Sequence, residues 1–494
     1  MDNSTSTFKR PNILWICTDQ QRFDTLGCYG NEFVKTPNID MLAEKGVLFN
    51  LAYSQSPVCT PSRASFLTGR YPRTTRCRQN GQAMPADEML ITKLLADEGY
   101  NCGLSGKLHI SPCHPSVCKT TEERINDGYS VFYWSHHPFK ETDVSNNWAN
   151  NEYNLWLREN GLEYKREPYK GSRHVQVSMP AKYHHTTWCV NKAINFMEAN
   201  AVYERPWLFS VNIYDPHHDF DPAVDYLERY IEKMDEIPLP NYTPGELDNK
   251  PHFQKDEYKN GAYNNNKRFI YEEMTEHDHK LVKAAYWAMV DLIDEQVGRL
   301  IECLERTGQI DNTIIIFTSD HGEMLGDHGI YMKGPHFYDA SVRIPLIFSW
   351  KGNIQQGVKS NALVELTDIA PTLMEAAGME VYPGMQGKSM WKLLTGTADL
   401  DVHREDIYSE YYNAMPTHEN PKAFLTMIRN RRYKMVCQHG ADMGELYDME
   451  QDQNETNNLW NHPEYEKVKY MMLKRLCDKI AETCDPLPER IAGY

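Results

Sequence analysis

The sequence predicts an α/β fold built on a large, mixed and mostly parallel β-sheet that carries helices on both faces. The first observation is a set of four short apolar runs without polar alternation, which is typical of strands covered on both faces. The second is that helical patterns separate these runs, and the third is a change of pattern after about residue 385. The runs cover residues 12–18, 207–213, 313–318 and 344–348.

Polar clusters follow three of the four predicted strands. They are Asp19 and Gln20 after the first, Asp215, His217 and His218 after the second, and Ser319, Asp320 and His321 after the third. In open α/β sheets, ligands bind beyond the carboxyl ends of the strands. We therefore expect these clusters to converge on one site.

The predicted helices lie between the strands. The longest spans residues 280–307, where apolar side chains recur at helical spacing and form one apolar face. Residues 37–48 and 88–98 also have helical patterns, and Pro37 suits the first turn of its helix. Residues 215–275 are rich in Tyr, Asn, Pro and charge, with little periodicity, so we expect an insertion that serves as a lid or binding loop.

Two domains of unequal size are predicted. A large catalytic domain spans residues 1–385, and a smaller α+β subdomain spans residues 386–494. In the subdomain, residues 424–438 have the pattern of two short strands joined by a polar turn, and a final helix covers about 463–482.

The charge balance excludes some classes of partner. The 494 residues include 52 Lys and Arg against 69 Asp and Glu, a net charge of −17. A phosphate backbone or an anionic membrane needs a basic surface, so we expect neither nucleic-acid nor membrane binding. Small anions are not excluded, because a local cluster of Arg, Lys and His can hold them inside an acidic protein.

Two further expectations concern location and cysteine chemistry. No apolar run reaches the roughly 20 residues of a membrane-spanning helix, and no apolar signal core precedes the first strand. We expect a cytoplasmic protein, with a trimmed signal and a periplasmic or secreted location as the alternative. The 12 cysteines lack paired CxxC spacing, so we expect reduced and mostly buried thiols.

The most specific motif begins at Cys59. The segment CTPSR at 59–63 is followed by ASFLTGR at 64–70, which has the pattern of a helix start. A thiol at a helix N-terminus can be an activated nucleophile, or it can be an ordinary buried side chain.

This motif resembles the signature of the type I sulfatases, within the alkaline-phosphatase-like superfamily. The resemblance extends to NILWICTDQQ at 12–21, TPNIDMLAEKGVLF at 36–49, SGKLH at 105–109, SDHGEMLGDHG at 319–329, KGPHFYDASVRIPLI at 333–347, VELTDIAPTL at 364–373 and GELYDMEQDQNETNNL at 444–459. It implies the sulfatase fold, hydrolysis of sulfate esters, and oxidation of Cys59 to formylglycine by a formylglycine-generating enzyme.

The resemblance also implies one divalent metal. Its ligands would be Asp19, Gln20, the modified Cys59, Asp320 and His321. The common family pattern has Asp and Asn where this chain has Gln20 and His321, and this chain is similar in that respect to choline sulfatases and phosphonate monoester hydrolases. Oxygen ligands favour Ca²⁺, and the imidazole ligand admits Mn²⁺ as well. Mg²⁺ is a further alternative.

A catalytic sequence follows from the same resemblance. One hydroxyl of the hydrated aldehyde at position 59, made acidic by the metal, attacks sulfur. His217 protonates the leaving oxygen, with His218 as the alternative acid. His109 then deprotonates the second hydroxyl, so that the covalent sulfo-enzyme releases sulfate.

Basic residues complete the implied sulfate site. Arg63, Lys107 and Lys333 would surround the sulfate oxygens, and Arg63 could instead orient the modified residue. Asn80 is expected near the substrate side. Arg76 and Arg78 could bind an acidic sugar, or they could be solvated loop residues.

Several activities stay open at this stage. The leading hypothesis is a sulfuric-ester hydrolase, and the first alternative is a phosphonate monoester or phosphodiester hydrolase that uses the same formylglycine. Lys107 and His109 favour the sulfatase, because phosphonate monoester hydrolases carry other polar residues there. A choline-sulfatase-like enzyme and a non-catalytic glycan-binding relative are further alternatives. The acidic surface favours a small or sparsely sulfated ester, with a sulfated carbohydrate as first choice. The sequence leaves the oligomeric state open.

Overall fold

The computed structural model describes residues 9–140, 148–418 and 422–492. The described strands are β1 Asn12–Thr18, β2 Gly46–Tyr53, β3 Asn101–Gly106, β4 Val131–Trp134, β5 Glu167–Pro168, β6 Gln176–Val177, β7 Trp207–Ile213, β8 Thr313–Ser319, β9 Leu346–Ser349, β10 Val358–Glu365, β11 Ile407–Tyr412, β12 Phe424–Arg429, β13 Tyr433–Gln438 and β14 Gly444–Asp448.

The helices follow the same order. They are α1 Pro37–Glu44, α2 Cys59–Thr68, α3 Pro72–Thr75, α4 Ile91–Asp97, α5 Glu152–Glu159, α6 His185–Asn200, α7 Val224–Ile231, α8 His252–Asn260, α9 Glu276–Arg306, α10 Asp339–Val342, α11 Ile369–Ala376, α12 Trp391–Leu394 and α13 Glu466–Glu482. Within the described ranges, no helix combines the length and apolar character that crossing a membrane would demand.

Eight strands form the large sheet, in the order β10-β2-β9-β8-β1-β7-β3-β4. All neighbours run parallel except β9, which is antiparallel to both β2 and β8. The predicted mixed and mostly parallel sheet is therefore confirmed. One strand differs from the prediction. The apolar run at 344–348 predicts a parallel strand because it lacks polar alternation, but β9 runs antiparallel and is nevertheless buried on both faces.

Both faces of the sheet carry a hydrophobic core, and β1 shows the division. Leu14 and Ile16 pack into one core together with α6 and α9. Ile13, Trp15 and Cys17 pack into the other with α2, α4 and α11. Successive strand side chains point to opposite faces, so two-sided burial makes the whole strand apolar.

The helix predicted at 88–98 is shorter in the structure and spans Ile91–Asp97. Two other helix predictions differ from the structure at their ends. The helix predicted at 37–48 ends at Glu44, because the β-branched and aromatic residues that follow belong to β2, where Val47 pairs with Phe348 of β9. The helix predicted at 280–307 begins earlier, at Glu276. Thr275 and Asp278 form a capping box there and satisfy the free N–H groups of the first turn.

The C-terminal subdomain contains the antiparallel sheet β11-β12-β13-β14 and the helix α13, which confirms its α+β character. A buried ionic cluster joins it to the large domain. Lys434 Nζ lies 2.7 Å from Asp339 and 2.6 Å from Glu455, and Arg429 lies 3.3 Å from Asp339. Removal of one partner would leave a buried charge without compensation, so we expect it to destabilise the contact between the two units.

Candidate active site

The candidate site lies at the carboxyl edge of the large sheet, where its central strands end side by side. β1 and β8 are in register through their last residues, so Asp19 and Asp320 leave the sheet next to each other. β7 and β3 follow on the other side of β1 and lead into the segments that carry His217 and Lys107. The structure thus brings together the polar clusters that follow the predicted strands.

A glycine turn at the end of β3 directs Lys107 into the site. Gly106 has a φ of +97°, and a Cβ there would lie only 1.9 Å from the carbonyl oxygen of Asn212. The backbone N–H of Lys107 donates to the same carbonyl over 3.1 Å. Only glycine fits this close approach, so the small residue is a requirement of the turn.

Cys59 is the first residue of α2 and is fully buried. Four charged or polar groups surround its sulfur: Lys333 Nζ at 2.8 Å, His321 Nε2 at 3.2 Å, Lys107 Nζ at 3.5 Å and Asp19 Oδ1 at 3.6 Å. Burial would raise the pKa of the Cys59 thiol, and so would Asp19, but Lys107, Lys333 and His321 bring it below its usual value. The surroundings therefore stabilise negative charge at this position.

Four side chains form a possible site for a divalent metal. The donor atoms of Asp19, Cys59, Asp320 and His321 all lie within 4.8 Å of one another, and all four residues are buried. His321 Nδ1 hydrogen-bonds to the carbonyl oxygen of Gly322 over 2.9 Å. A carbonyl can only accept, so Nδ1 carries a proton, and Nε2 is the nitrogen available to a metal.

The amide of Gln20 supplies the observation that tests whether a metal fits. Its Nε2 donates to a carboxylate oxygen of Glu323, whereas its Oε1 is buried and has no hydrogen-bond partner among the described residues. A buried carbonyl oxygen without a partner is costly, and a cation would satisfy it. The residues present fit a divalent metal that Asp19, Gln20, Asp320 and His321 would hold.

Glu323 is a functional candidate that the sequence analysis missed. It is fully buried, and its Oε1 accepts the backbone N–H of Leu325 over 2.9 Å as well as that of Met332. This fixed carboxylate holds the nitrogen of the Gln20 amide and leaves its oxygen free. The one sequence feature that could have indicated Glu323 is its position, two residues after His321 in the segment that follows β8.

We expect Glu323→Gln to lower metal affinity about 10–100-fold, as the loss of partners that orient metal ligands typically does. The new amide would no longer require the nitrogen of Gln20 to face it. Isothermal titration of the metal into metal-depleted protein measures the effect without an activity assay. Gln20→Ala should lower the metal affinity by a similar factor. The double variant should bind the metal only slightly more weakly than either single variant. Additive losses would contradict this role.

Arg63 lies behind the metal-binding side chains. Its Nε donates to Asp320 over 2.8 Å, Nη2 to Asp19 over 3.0 Å, and Nη1 to the carbonyl of Lys107 over 2.9 Å. These contacts fix both carboxylates and the start of the Lys107 segment. They favour a role in which Arg63 orients the groups around position 59 over a role in which it contacts the sulfate oxygens.

Lys107 and Lys333 are the ammonium groups nearest to position 59. Lys107 Nζ forms an ion pair with Asp19 at 2.6 Å. Lys333 Nζ lies 2.9 Å from His217 Nε2 in addition to its contact with Cys59. Both lysines are almost fully buried, so their charge acts in a region from which water is largely excluded.

The rings of His217 and His218 stack with centroids 4.0 Å apart, but their nitrogens have different partners. His217 Nε2 faces Lys333, and its Nδ1 hydrogen-bonds to the backbone carbonyl of His218. His218 instead lies near the amide of Gln20, at 3.4 Å, and near the hydroxyl of Tyr263, at 3.5 Å. Burial and the neighbouring Lys333 hold the pKa of His217 well below its usual value. His217 is therefore neutral and next to a proton donor.

His109 lies on the Lys107 side of the site. Burial, followed by the charges of Lys107 and Arg63, holds its pKa well below the usual value, so it is a neutral base. Its backbone N–H donates to the buried carboxylate of Glu122 over 2.8 Å. No hydrogen bond between His109 and Cys59 is present in the described structure.

The three weaker candidates occupy different surroundings. Asn80 accepts the backbone N–H of Thr60 over 3.0 Å and so holds the first turn of α2. Arg76 is exposed and pairs with Asp87 at 2.6 Å. The guanidinium of Arg78 lies over the Tyr412 ring at 4.4 Å. Asn80 contacts the helix that carries Cys59, whereas the two arginines have protein partners outside the metal-binding group.

Comparisons with known proteins match most of the chain. The family model "Sulfatase" matches residues 11–379, and the model "N-sulphoglucosamine sulphohydrolase, C-terminal" matches residues 326–482. The chain is 30% identical to an arylsulfatase of Clostridium perfringens, with 94% of this chain and 93% of that protein covered. It is 29% identical to an ulvan-active sulfatase of Formosa agariphila, with 97% and 83% covered.

A solved structure shares the whole fold. The phosphonate monoester hydrolase of Agrobacterium radiobacter superposes with a TM-score of 0.80 at 25% identity, and the match covers 97% of each chain.

Proposed function

Because the chain belongs to the sulfatase family, we propose that it hydrolyses a sulfate monoester of a carbohydrate or other small molecule by means of a formylglycine at position 59. The observation that carries the proposal is the surroundings of the Cys59 sulfur. A metal-binding imidazole lies 3.2 Å from it on one side, and an ammonium group lies 2.8 Å from it on another. This arrangement suits an oxygen nucleophile that attacks an anionic ester.

The metal, when bound, would lower the pKa of a hydroxyl at position 59 and offset the charge of the ester. Asp19 and Asp320 hold their geometry through Arg63, as their contacts of 3.0 and 2.8 Å support. Lys107 and Lys333 would bind the non-bridging sulfate oxygens, since both ammonium groups already face the sulfur of Cys59. These side chains are in place before substrate binds, so little reorganisation is needed.

Protonation of the leaving oxygen is assigned to His217 together with Lys333. Since Nδ1 of His217 carries its proton toward a carbonyl, Nε2 receives a hydrogen bond from the ammonium of Lys333. The proton for a departing alkoxide would therefore come from the ammonium of Lys333 and move through Nε2 of His217, which leaves Lys333 as a neutral amine. His218 has less support as the acid, because its ring nitrogens lie near Gln20 and Tyr263.

We expect His217→Asn to slow hydrolysis of an alkyl or sugar sulfate about 10²–10⁴-fold, the usual contribution of general acid catalysis. Hydrolysis of 4-nitrophenyl sulfate should slow far less, because nitrophenolate leaves without a proton. The comparison of kcat/KM for the two esters checks this role. His218→Asn is the matched control, and an equal loss on both esters in His217→Asn would contradict it.

For the metal we propose Ca²⁺, with Mn²⁺ and Mg²⁺ as alternatives. Two carboxylates and the free amide oxygen of Gln20 favour a hard cation. The imidazole of His321 is the argument for Mn²⁺. A formylglycine-generating enzyme is the proposed maturation partner.

The test of the function has two parts. Mass spectrometry of the peptide that contains residue 59 should show an aldehyde or its hydrate in place of the thiol. A panel of sulfate, phosphate and phosphonate monoesters should then show the highest kcat/KM for a sulfate ester. The net charge of −17 supports a small or sparsely sulfated substrate over a dense polyanion.

A phosphonate monoester hydrolase is the second candidate. It is favoured by the likeness to the Agrobacterium radiobacter enzyme and by Gln20 and His321 at the metal site. Faster turnover of phenyl phosphonate monoesters than of any sulfate ester in the panel would establish it instead.

A further inference from the structure

A second group of metal-binding side chains lies beside the active site. β3 and β4 are parallel neighbours, so the loops that follow them lie next to each other. These loops carry His109, Cys113 and His136, and one donor atom of each lies within 4.8 Å of the other two. The His109 and His136 rings meet edge to face, with centroids 4.6 Å apart.

Both imidazoles have a nitrogen that lacks a hydrogen bond. Among the described residues, Nδ1 of His109 and Nε2 of His136 are buried without a partner. Nδ1 of His136 is occupied, since it lies 2.7 Å from Nδ1 of His137. His109 is 8% exposed and Cys113 is 5% exposed, so water does not compensate these groups freely.

The backbone around the group is held in place by one buried carboxylate. Glu122 accepts the N–H of His109 over 2.8 Å, that of Ser111 over 2.9 Å and the indole N–H of Trp134 over 3.0 Å. It therefore ties the loop after β3 to the end of β4.

We propose that His109, Cys113 and His136 form a binding site for a borderline-soft cation such as Zn²⁺. Two imidazole nitrogens and one thiolate are ligands that Zn²⁺ prefers, and three protein ligands leave one position for water. At Zn–N and Zn–S lengths of about 2.0 and 2.3 Å, tetrahedral donors lie roughly 3.3–3.7 Å apart. The three donors lie within 4.8 Å of one another, so they would move closer together when a cation binds.

Occupancy of this site would inhibit hydrolysis, a consequence that rests on the proposed sulfatase function and on the role as a base that the family resemblance implies for His109. A neutral imidazole that gives the lone pair of Nδ1 to a metal carries its proton on Nε2. It then has no lone pair with which to accept a proton. The site thus differs from the metal site at Asp19 and Asp320 in both its ligands and its effect.

Cobalt spectroscopy tests the site without any activity assay. The experiment uses the Cys59→Ser variant, which lacks the thiol of the metal site at Asp19 and Asp320, and saturates that site with Ca²⁺. Titration with Co²⁺ should then produce a thiolate-to-cobalt charge-transfer band at one equivalent, and Zn²⁺ should abolish it. The band should be absent when Cys113→Ser is added. It should persist when Cys118→Ser is added instead, because Cys118 is a neighbouring buried thiol outside the group.

The affinity for Zn²⁺, measured by competition with a chromophoric chelator, should fall at least about 100-fold in both Cys113→Ser and His136→Asn. Circular dichroism establishes that each variant is folded. No thiolate band in the Cys59→Ser protein, or a band that survives Cys113→Ser, would overturn the site.

In protein that carries formylglycine, Zn²⁺ should inhibit sulfate-ester hydrolysis, and His136→Asn should raise the inhibitory concentration by a similar factor. Binding without inhibition would keep the site and contradict the role of His109. Inhibition that His136→Asn leaves unchanged would place the inhibitory zinc elsewhere.

Discussion

Replacement of Cys59 by alanine is expected to lower kcat/KM for sulfate esters at least about 10³-fold, because it removes the nucleophile at the centre of the site. Lys107, Lys333 and His321 would remain around position 59 and could still bind the ester. The loss should therefore appear mainly in kcat, and KM should change little. Steady-state kinetics on purified protein of known formylglycine content measure it.

Cys59→Ser separates the attack step from the release step. A serine hydroxyl can attack sulfur, but it lacks the second hydroxyl whose deprotonation expels sulfate from an aldehyde hydrate. We therefore expect at most a single turnover, after which the peptide that contains position 59 is heavier by one sulfo group in the mass spectrum. Cys437→Ser, at a half-buried thiol in β13, is the control and should retain full activity. Multiple turnovers by the serine variant, or wild-type rates in Cys59→Ala, would contradict the mechanism.

Removal of the metal is expected to lower activity by a comparable factor, at least about 10³-fold, since a bound cation contributes several kcal/mol to charge stabilisation. The fold should survive, because Arg63 continues to neutralise Asp19 and Asp320. The thermal midpoint should fall nevertheless. A ligand at 100 times its Kd stabilises the folded state by about 2.7 kcal/mol.

The measurement combines activity and calorimetry on chelator-treated protein, followed by return of Ca²⁺, Mn²⁺ or Mg²⁺. We expect Ca²⁺ to restore both the activity and the thermal midpoint. Asp320→Asn is the matched variant, in which added metal should restore neither fully, because one charged ligand and one partner of Arg63 are lost. Full activity in protein without detectable metal would contradict the site.

The strand-end residues of the site could be predicted from the sequence for a simple geometric reason. Asp19 and Asp320 each follow an apolar run, and parallel strands that lie side by side bring their carboxyl ends to one edge of the sheet. The same rule located His217 after β7. Lys107 came from the family resemblance, and its contact with Cys59 depends on the turn at Gly106.

The supporting carboxylates could not be predicted in this way. Glu122 and Glu323 accept hydrogen bonds from backbone N–H groups, from the indole of Trp134 and from the amide of Gln20. No residue pattern marks such contacts. The group of His109, Cys113 and His136 could not be predicted from the sequence either. Its spacing along the chain matches no common zinc pattern, because its members meet only where two neighbouring loops leave the sheet.

Local chemistry along the chain was sufficient to predict the sheet, the subdomain and the residue types of the site, because strand burial and the segments around Cys59 and Asp320 are visible in the order of residues. Tertiary structure alone decided orientation. It turned His217 toward Lys333 and His218 toward Gln20, placed Arg63 behind the carboxylates, and left the oxygen of Gln20 free. The physical reason is that hydrogen bonds between residues far apart in the chain select one direction for each side chain, and only the packed fold brings those partners within reach.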